Sequence, residues 1–413
     1  MTPPAGLDTV PVDAVPVDAV PVDAVPVDAV PSPAPFPVLD PAGSLQSYAP
    51  GSRARGALSV HPFQFRLPPA LEASAPPEAR GLRRDAVRML VARRSDDSVR
   101  HHHFTDLPQV LEAGDVLVVN TSATLPARLD GWVGDGVHAA LHLSGRLPGG
   151  LRVVELRHRF SAGASAVTTP WLDATSGTLV RLPGGGQAVL RVPASSDVVA
   201  GDPVRLWVAT VDLPQPLLPY LARYGRPIRY SYVPQAWPIS SYQTVFAEVP
   251  GSAEMPSAAR PFSAELITRL VSRGIGVAPF VLHCGVSSPE GHEPPLAEWF
   301  QVSDTTAAQV NAAHRAGHRV IAVGTTALRA LETVTDRLGV THPGQGWTEL
   351  IVEPDRQIRS VDGLVTGWHE PGASHLAMLE AIAGAQLVAA SYSEAVAHGY
   401  LWHEFGDSHL VLP

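Results

Sequence analysis

Small polar residues follow several apolar runs of this 413-residue chain, at positions where buried strands are predicted to end. Residues 320–323 form such a run, with the β-branched members that are typical of a strand buried on both faces. Gly324 ends the run, and Thr325 or Thr326 is predicted to supply the N-cap hydroxyl of the next helix. The free N–H groups of such a helix start suit a carboxylate or a ribose oxygen. The alternative is an ordinary strand–turn–helix junction.

Two histidines follow other predicted strands and have the chemistry of an acid or a base. His283 ends a run that begins at residue 275, and His369 ends a segment that begins at residue 363. Because imidazole titrates near neutral pH, either side chain could move a proton in a reaction. Each could equally be a structural histidine.

The cysteine and histidine pattern does not predict a metal site. Cys284 is the only cysteine, which excludes an internal disulfide and a cysteine-rich zinc site. His101, His102 and His103 are adjacent, and neighbouring side chains of a strand point to opposite faces, so they are not expected to converge on one ion. We therefore expect no metal.

Alternating strands and helices predict a layered α/β fold, a mixed sheet with helices on its faces. Residues 56–130 and 213–413 are assigned to this domain, with a buried strand at residues 116–119 that ends at Asn120. Residues 131–212 contain short strand-like runs between turn residues, which indicates an inserted all-β, barrel-like domain. Helices are predicted at about residues 262–273 with Ser263 as cap, from Ser303 to about 316, at 374–383 and at 385–398.

The first part of the chain has a different composition. Residues 10–29 are four copies of a Val-Pro-Val-Asp-Ala repeat, and proline at that spacing forbids a continuous helix or a central strand. Residues 1–55 are therefore predicted to be a disordered tail. Phe63, Phe65 and Leu67 alternate with polar neighbours just after it, which predicts a strand.

The charge of the chain limits the choice of partners. The net charge is −9, and residues 1–50 contribute six aspartates and no basic residue, so the remainder carries −3. A general nucleic-acid binder is usually basic, so RNA binding would depend on a local patch. The arginines of residues 80–100 are the candidate patch, although a solvated surface is the preferred explanation of such a charge cluster.

A second stretch that could contact a nucleic acid is aromatic. Residues 213–250 contain Tyr220, Tyr224, Tyr230, Tyr232, Trp237 and Tyr242. These rings could stack on bases, or they could fix a loop to the core. The absence of a long apolar run and of a recognisable signal peptide predicts a cytoplasmic protein with no membrane span, and we expect a monomer.

Several segments match one family in the same order. Residues 324–332 resemble the Gly-Thr-Thr-x-x-Arg-x-Leu-Glu block of the S-adenosylmethionine:tRNA ribosyltransferase-isomerases, which build epoxyqueuosine on tRNA. The other matching segments are residues 67–69, 84–88, 114–129, 242–245, 282–285, 369–374 and 398–407. No single match is specific, but the order and spacing of the matches over residues 61–413 identify the chain as a member of this family. It resembles a divergent paralogue of the tRNA-modifying enzymes.

The chain departs from the family pattern at polar, site-like positions. The family's Asn-Asp-Thr-Arg reads Asn-Thr-Ser-Ala at residues 120–123, and its Pro-Thr-Ala-Gly-Leu-His-Phe reads Pro-Ser-Ala-Ala-Arg-Pro-Phe at residues 256–262. A Gly-Thr-Phe is replaced at residues 286–288, a His-x-Met-His run is missing before Glu298, and Thr-Asn-Phe-His reads Thr-Gly-Trp-His at residues 366–369. This pattern predicts a retained scaffold with a changed substrate or chemistry.

The resemblance implies S-adenosylmethionine as a ribosyl donor, with loss of adenine and methionine and no metal. The acceptor would be a 7-aminomethyl-7-deazaguanine-type amine in tRNA. The sulfonium acidifies the carbon beside it, so His283 or His369 could act as base or acid. Gly324, Thr325 and Thr326 could hold the carboxylate or ribose, and Asp407 could accept from ribose or the amine. The further substrate-binding candidates are Arg329, which could instead pair with Glu332, together with Arg128, Asn120 and Tyr242.

Three functions therefore remain open. The first is the tRNA-modifying transferase-isomerase reaction itself. The second is a related enzyme that uses S-adenosylmethionine or a nucleoside on a small molecule. The third is a binding protein without catalysis, because a fold alone does not fix a function.

Overall fold

The computed structural model describes residues 65–413 except 161–167, 196–197, 199–200 and 287–295, together with two short strands before residue 65. The chain divides into residues 1–34 and 35–413, and every described residue belongs to the second unit. The predicted disordered tail, residues 1–55, thus lies outside the described residues apart from an antiparallel pair of strands, β1 (Val38–Leu39) and β2 (Leu45–Gln46), which was not predicted.

The remaining described strands and helices follow in chain order. The strands are β3 (Arg88–Arg93), β4 (Ser98–His103), β5 (Val116–Asn120), β6 (Ser122–Thr124), β7 (Arg128–Val133), β8 (Val137–Arg146), β9 (Leu151–Arg159), β10 (Thr168–Pro170), β11 (Leu179–Arg181), β12 (Gln187–Pro193), β13 (Leu206–Asp212), β14 (Gly225–Arg226), β15 (Val249–Ser252), β16 (Gly276–Leu282), β17 (Glu298–Val302), β18 (Val320–Val323), β19 (Gly344–Thr348), β20 (Gly363–Thr366) and β21 (Ser408–Leu412). The α-helices are α1 (Leu107–Val110), α2 (Leu217–Tyr224), α3 (Ala264–Ser272), α4 (Asp304–Arg315), α5 (Thr325–Val334), α6 (His375–Ala383) and α7 (Ala385–Ala397).

The larger layer is a mixed nine-stranded sheet in the order β19-β17-β16-β5-β18-β20-β21-β3-β4. The central strands β16, β5, β18 and β20 are parallel, whereas β21 is antiparallel to β20 and parallel to β3. Val320 and Ala322 pack with α4 to α7 on one face, and Ile321 and Val323 pack with α1 and α3 on the other. The run at residues 320–323 is apolar throughout because both of its faces are buried, as predicted.

The inserted domain is a closed barrel of six strands. Its strands pair in the circular order β7-β8-β9-β13-β12-β11, and β11 returns to β7. Alternate side chains fill the interior, among them Leu129, Leu141 and Leu190, each of which is fully buried. The predicted all-β insertion is confirmed.

One predicted strand is absent from the described residues. Residues 65–68 have no strand pairing, and residues 61–64 are not described. The ring of Phe65 instead packs against Tyr392 at 5.2 Å and Trp402 at 6.0 Å between ring centroids. The prediction was wrong for Phe65 and Leu67, because apolar alternation also arises when an irregular segment packs on the core, and its part on Phe63 lies outside the described residues.

Helix starts and lengths agree better with the sequence. Ser263 caps α3 by accepting from the backbone N–H of Leu266, and Ser303 caps α4 by accepting from that of Thr306. Within the described residues, no single helix has the length and apolar character needed to cross a membrane; α6 and α7 meet that test only as a pair bent by 117°.

Candidate active site

A cavity of about 300 Å³ lies where the parallel strands β16, β18 and β20 end. Its wall includes Cys284 after β16, Gly324 after β18, and residues 366–369 at the end of β20. The barrel adds Ser144 and Arg205 to the same wall. Ligands of open α/β sheets bind at the carboxyl ends of the strands, so the cavity occupies the position expected for a substrate site.

The first turn of α5 forms one side of the cavity. Gly324 is the N-cap, with a φ of 94° that favours glycine, and its backbone N–H donates to the Val365 carbonyl at 2.8 Å. The predicted threonine cap was therefore wrong: Thr325 and Thr326 are already helical, and no side chain caps this helix. Both threonines line the cavity, where backbone N–H groups of the first turn have no carbonyl one turn earlier.

Arg329 lies in the wall, but its guanidinium is committed to protein groups. It pairs with the carboxylate of Glu298, and its Nε donates to the Leu350 carbonyl at 2.9 Å. The predicted alternative pair with Glu332 does not form. Glu332 is buried away from the cavity and accepts from the backbone N–H groups of Arg359 at 2.6 Å and Ser360 at 2.8 Å.

His369 faces the cavity together with a second histidine that was not predicted. Its ring stacks on that of His375 at 4.4 Å with an interplanar angle of 3°, and its Nε2 lies 2.8 Å from the Thr366 hydroxyl. Burial lowers the pKa of His369 well below its usual value and that of His375 to about 4. Both rings are therefore neutral near pH 7, as a proton acceptor requires.

His283 does not line the cavity. Its Nδ1 lies 2.8 Å from the Ser122 hydroxyl, and its ring stacks on Trp299 at 5.1 Å. Burial lowers the pKa of His283 to about 4. The structure thus separates the two predicted catalytic histidines.

Three further predicted site residues lie outside this cavity and hold the fold together. Asn120 joins β5 to β16 by donating to the Leu282 carbonyl at 2.8 Å and accepting from the Leu282 N–H at 3.0 Å. Arg128 pairs with Asp130 at 3.0 Å in the barrel. Asp407 accepts from the backbone N–H groups of Arg88 and Leu401, each at 2.8 Å, and pairs with the Arg88 guanidinium at 2.9 Å.

Tyrosines of the aromatic stretch line the cavity, and two of them hydrogen-bond to glutamates of the wall that were not predicted. Tyr242, a predicted site residue, lines the cavity and is buried, which raises its pKa. Tyr230 donates to Glu254, and Tyr232 donates to Glu404 at 2.6 Å. All of these side chains line the cavity. Nothing in the sequence pairs residue 232 with residue 404; the aromatic stretch was the one available signal.

A second group of possible ligands lies away from the cavity. His101 Nε2 and His398 Nδ1 lie 3.0 and 3.1 Å from Glu394 Oε1, so these partly exposed groups could share a metal ion. His102, which alternation places on the opposite face of β4 from His101, is not in this group, and neither is His103. The absence of a metal from the reaction stays a prediction.

An α/β sheet with a cavity at its parallel strand ends, lined by a helix start and neutral imidazoles, defines an enzyme-type site. Residues 60–411 match the family model described as queuosine biosynthesis protein. The S-adenosylmethionine:tRNA ribosyltransferase-isomerase of Moorella thermoacetica is 34% identical over 376 residues, 86% of this chain and 100% of the relative. The enzyme of the same name from Symbiobacterium thermophilum is 35% identical over 359 residues, 85% of this chain and 98% of the relative.

A solved structure of an S-adenosylmethionine tRNA ribosyltransferase from Thermotoga maritima is 27% identical, with a TM-score of 0.47, and the match covers 85% of this chain and 99% of that one. The chain belongs to the queuosine biosynthesis family. It is thus an enzyme of the transferase and isomerase class that its relatives' names state.

Several departures from the family pattern fall on the cavity wall. Ser257, Val286, Gly367 and Trp368 line it, whereas Ala259 and Pro261, where the family's glycine and histidine are lost, do not. Ser287 and Ser288, and the segment where the His-x-Met-His run is missing, lie outside the described residues. Part of the departure from the family pattern therefore lies on the cavity wall.

Proposed function

We propose that this cavity binds S-adenosylmethionine and that the enzyme transfers its ribosyl unit to an amine, with release of adenine and methionine. The observation that carries the proposal is the place of the Gly324-Thr325-Thr326 turn, which lines a cavity at the sheet edge where α/β enzymes bind substrates. The names of the relatives supply the donor.

The wall residues have different proposed roles, according to their chemistry. The backbone N–H groups and hydroxyls of Thr325 and Thr326 suit the methionine carboxylate or a ribose hydroxyl. His369 is neutral, and a hydrogen bond between its Nε2 and the Thr366 hydroxyl helps to orient its ring. Its imidazole can therefore accept the proton from the carbon beside the sulfonium. The ion pair between Arg329 and Glu298 holds these two side chains in place in the wall. His283, Asp407, Asn120, Arg128 and Glu332 have no part in this proposal, because they do not line the cavity.

The first candidate acceptor is a 7-aminomethyl-7-deazaguanine-type amine in tRNA, which would yield epoxyqueuosine. It is supported by the relatives' names and by their identity of 34–35% over most of the chain. The arginines of residues 80–100 give it less support than expected. Arg83 pairs with Asp85 and Glu265, Arg84 with Glu78, and Arg88 with Asp407, so three of these seven arginines are already in ion pairs.

The second candidate acceptor is a small molecule that carries the amine. Two observations favour it: the family departures on the cavity wall and the ion pairs that Arg83, Arg84 and Arg88 form. Both acceptors require the same donor site.

Adenine release tests the proposal and separates the two acceptors. The full-length protein is incubated with S-adenosylmethionine and either tRNA bearing 7-aminomethyl-7-deazaguanine or the free base, and adenine is measured by chromatography. Release with tRNA supports the first acceptor, and the apparent affinity for tRNA should then fall as salt rises. Release with the free base alone supports the second. The absence of both turnover and calorimetric binding of S-adenosylmethionine contradicts the proposal.

A further inference from the structure

Two histidines and a glutamate converge at one edge of the nine-stranded sheet, away from the cavity. His101 lies on the edge strand β4, opposite Leu90 of β3 and therefore on the face of the sheet that packs with α7. Glu394 and His398 are one turn apart at the end of α7. The ligand atoms of the three side chains all lie within 4.8 Å of one another, and none of the three residues lines the cavity.

A single carboxylate oxygen lies between the two imidazoles. Glu394 Oε1 is 3.0 Å from His101 Nε2 and 3.1 Å from His398 Nδ1, and the centroids of the two rings are 4.5 Å apart. Ligand atoms that lie about 2.0–2.1 Å from a tetrahedral zinc ion are roughly 3.3 Å from each other. Because the observed separations are close to that value, small side-chain rotations are enough to place the three atoms around one ion.

The ring of His101 is oriented by a buried partner. Its Nδ1 lies 2.9 Å from the hydroxyl of Tyr400, a residue that is 1% exposed. Metal-binding histidines commonly donate a hydrogen bond from the second ring nitrogen, which directs the first nitrogen to the ion. A tyrosine hydroxyl can accept this hydrogen bond, and it can donate one instead when no ion is bound. The Tyr400 hydroxyl thus directs His101 Nε2 towards Glu394.

The ligand atoms select the class of ion. Two imidazole nitrogens and one carboxylate oxygen, with water in a fourth position, suit Zn²⁺, whereas Mg²⁺ and Ca²⁺ prefer oxygen ligands alone. The side chains of His101, Glu394 and His398 are 42%, 39% and 53% exposed, so an ion can reach them from solvent. Arg88 is a nearby cation that donates to the His398 carbonyl at 2.9 Å, but its guanidinium pairs with Asp407 at 2.9 Å. The Glu394 carboxylate therefore remains to offset the charge of the ion.

We propose that His101, Glu394 and His398 bind a divalent transition-metal ion, Zn²⁺ above all, through Nε2, Oε1 and Nδ1. The ion joins β4 to the end of α7. Among the described strands β4 pairs with β3 alone, so the ion adds a second link that holds this edge of the sheet. The site is structural and independent of the proposed ribosyl transfer. The histidine pattern did not predict it, because His101 and Glu394 are 293 residues apart in the chain.

Calorimetry with Zn²⁺ tests the site. The full-length protein, prepared without a histidine tag and freed of metal with a chelator, is titrated with ZnCl₂ in the absence and presence of MgCl₂. The wild type should bind Zn²⁺ in a tight step of one ion per chain, and about a hundredfold excess of Mg²⁺ should not weaken that step. The absence of this step, or competition by Mg²⁺, overturns the proposal.

Ligand variants and a matched control locate the ion. His101→Ala and His398→Ala should each weaken Zn²⁺ binding at least about tenfold, because even changes beside a metal ligand commonly cost that much. His342 is also exposed, and its Nε2 lies 2.9 Å from the Asp336 carboxylate, but it belongs to no three-ligand group of the described residues. His342→Ala should therefore bind Zn²⁺ as the wild type does. If it loses the tight step, or if the two ligand variants keep it, the assignment is wrong.

Thermal melts identify any variant that fails to fold. His398 lies at an exposed helix end, so its truncation should leave the fold intact even if that of His101 does not. Tyr400→Phe keeps all three ligands and removes only the hydroxyl that orients His101, and it should weaken Zn²⁺ binding about tenfold. Unchanged affinity in Tyr400→Phe would contradict the role of the His101 ring.

Two further measurements distinguish this site from loose binding at the surface. Co²⁺ in place of Zn²⁺ should give the intense visible absorption of tetrahedral coordination, which octahedral surface binding lacks. Zn²⁺ should also slow hydrogen exchange of the β4 amides but not of those of β19, the strand at the opposite edge of the same sheet. Octahedral cobalt, or equal protection of the two edges, would contradict a link between β4 and α7.

Discussion

At the scale of single residues, burial decides the chemistry of this cavity. His369 and His375 are held neutral because their charged forms would lose hydration. The sequence marks His369 and His283 equally, since each follows a strand of the same sheet. The sequence does not show which of the two histidines faces the cavity. The direction of a side chain beyond a strand end depends on its hydrogen-bond partners, which are Ser122 of β6 for His283 and Thr366 at the end of β20 for His369.

His369→Ala should lower kcat for adenine release about 100-fold, the usual loss on removing a general base. His283→Ala, outside the cavity, should stay within about threefold of wild type, because it removes no group from the proton transfer. Steady-state kinetics under saturating donor measures both. Equal losses in the two variants would contradict the assignment of His369 as the base.

Burial of His369 also determines how the reaction rate should depend on pH. Because the pKa of His369 lies well below 6.5, its protonation should not limit the rate near neutral pH. A pH–rate profile for adenine release measures this, and a rate that fell with the protonation of an ordinary histidine, at a pKa of about 6.5, would contradict the assignment.

At the scale of elements, the caps show what local sequence can and cannot predict. Ser263 is correctly predicted as a cap and Ser303 as a helix start, because each hydroxyl lies one residue before a helix whose first turn offers a free N–H. The start of α5 is different. Gly324 takes the cap position with a positive φ, and this displaces Thr325 and Thr326 into the helix and the cavity wall. A cap that lacks a side chain leaves the helix N–H groups available to a ligand.

Ser263→Ala should lower the free energy of unfolding by about 1 kcal/mol or slightly more, because the hydroxyl caps α3 and also donates to the Asp85 carboxylate at 2.6 Å. Ser272→Ala, at the exposed end of the same helix, removes only a hydrogen bond to the Thr268 carbonyl and should cost less than about 0.5 kcal/mol. Urea unfolding compares the two. A larger loss for Ser272→Ala would contradict the cap.

At the scale of the whole molecule, period and composition predict the classes of the layers but not their connections. The barrel is evident from short strands between turns, and the central sheet from runs such as residues 320–323. The order of the strands in the sheet is not evident from the sequence, since β3 pairs with β21 across more than 300 residues. The acidic part of the cavity, with Glu254 and Glu404, depends on such distant pairings and could not be predicted.

Removal of residues 1–55 should leave the fold and the donor site intact. The family match begins at residue 60, and the relative from Moorella thermoacetica is covered completely by 86% of this chain. The shortened chain should melt within about 3 °C of the full chain and bind S-adenosylmethionine with the same affinity by calorimetry. A large loss of either property would show that the repeat segment contributes to the enzyme. The monomeric state and the cytoplasmic location stay predictions; sedimentation of the full chain tests the first.

The position of the last strand also has a consequence for biosynthesis. Residues 408–412 fill an interior place in the sheet, between β20 and β3. These residues are synthesised after all the other described strands, so β3 has to wait for its parallel neighbour until the chain beyond residue 408 has been made, whereas all six barrel strands emerge much earlier. The nascent chain should therefore acquire a folded barrel first and keep, until then, an unpaired strand edge that chaperones can bind.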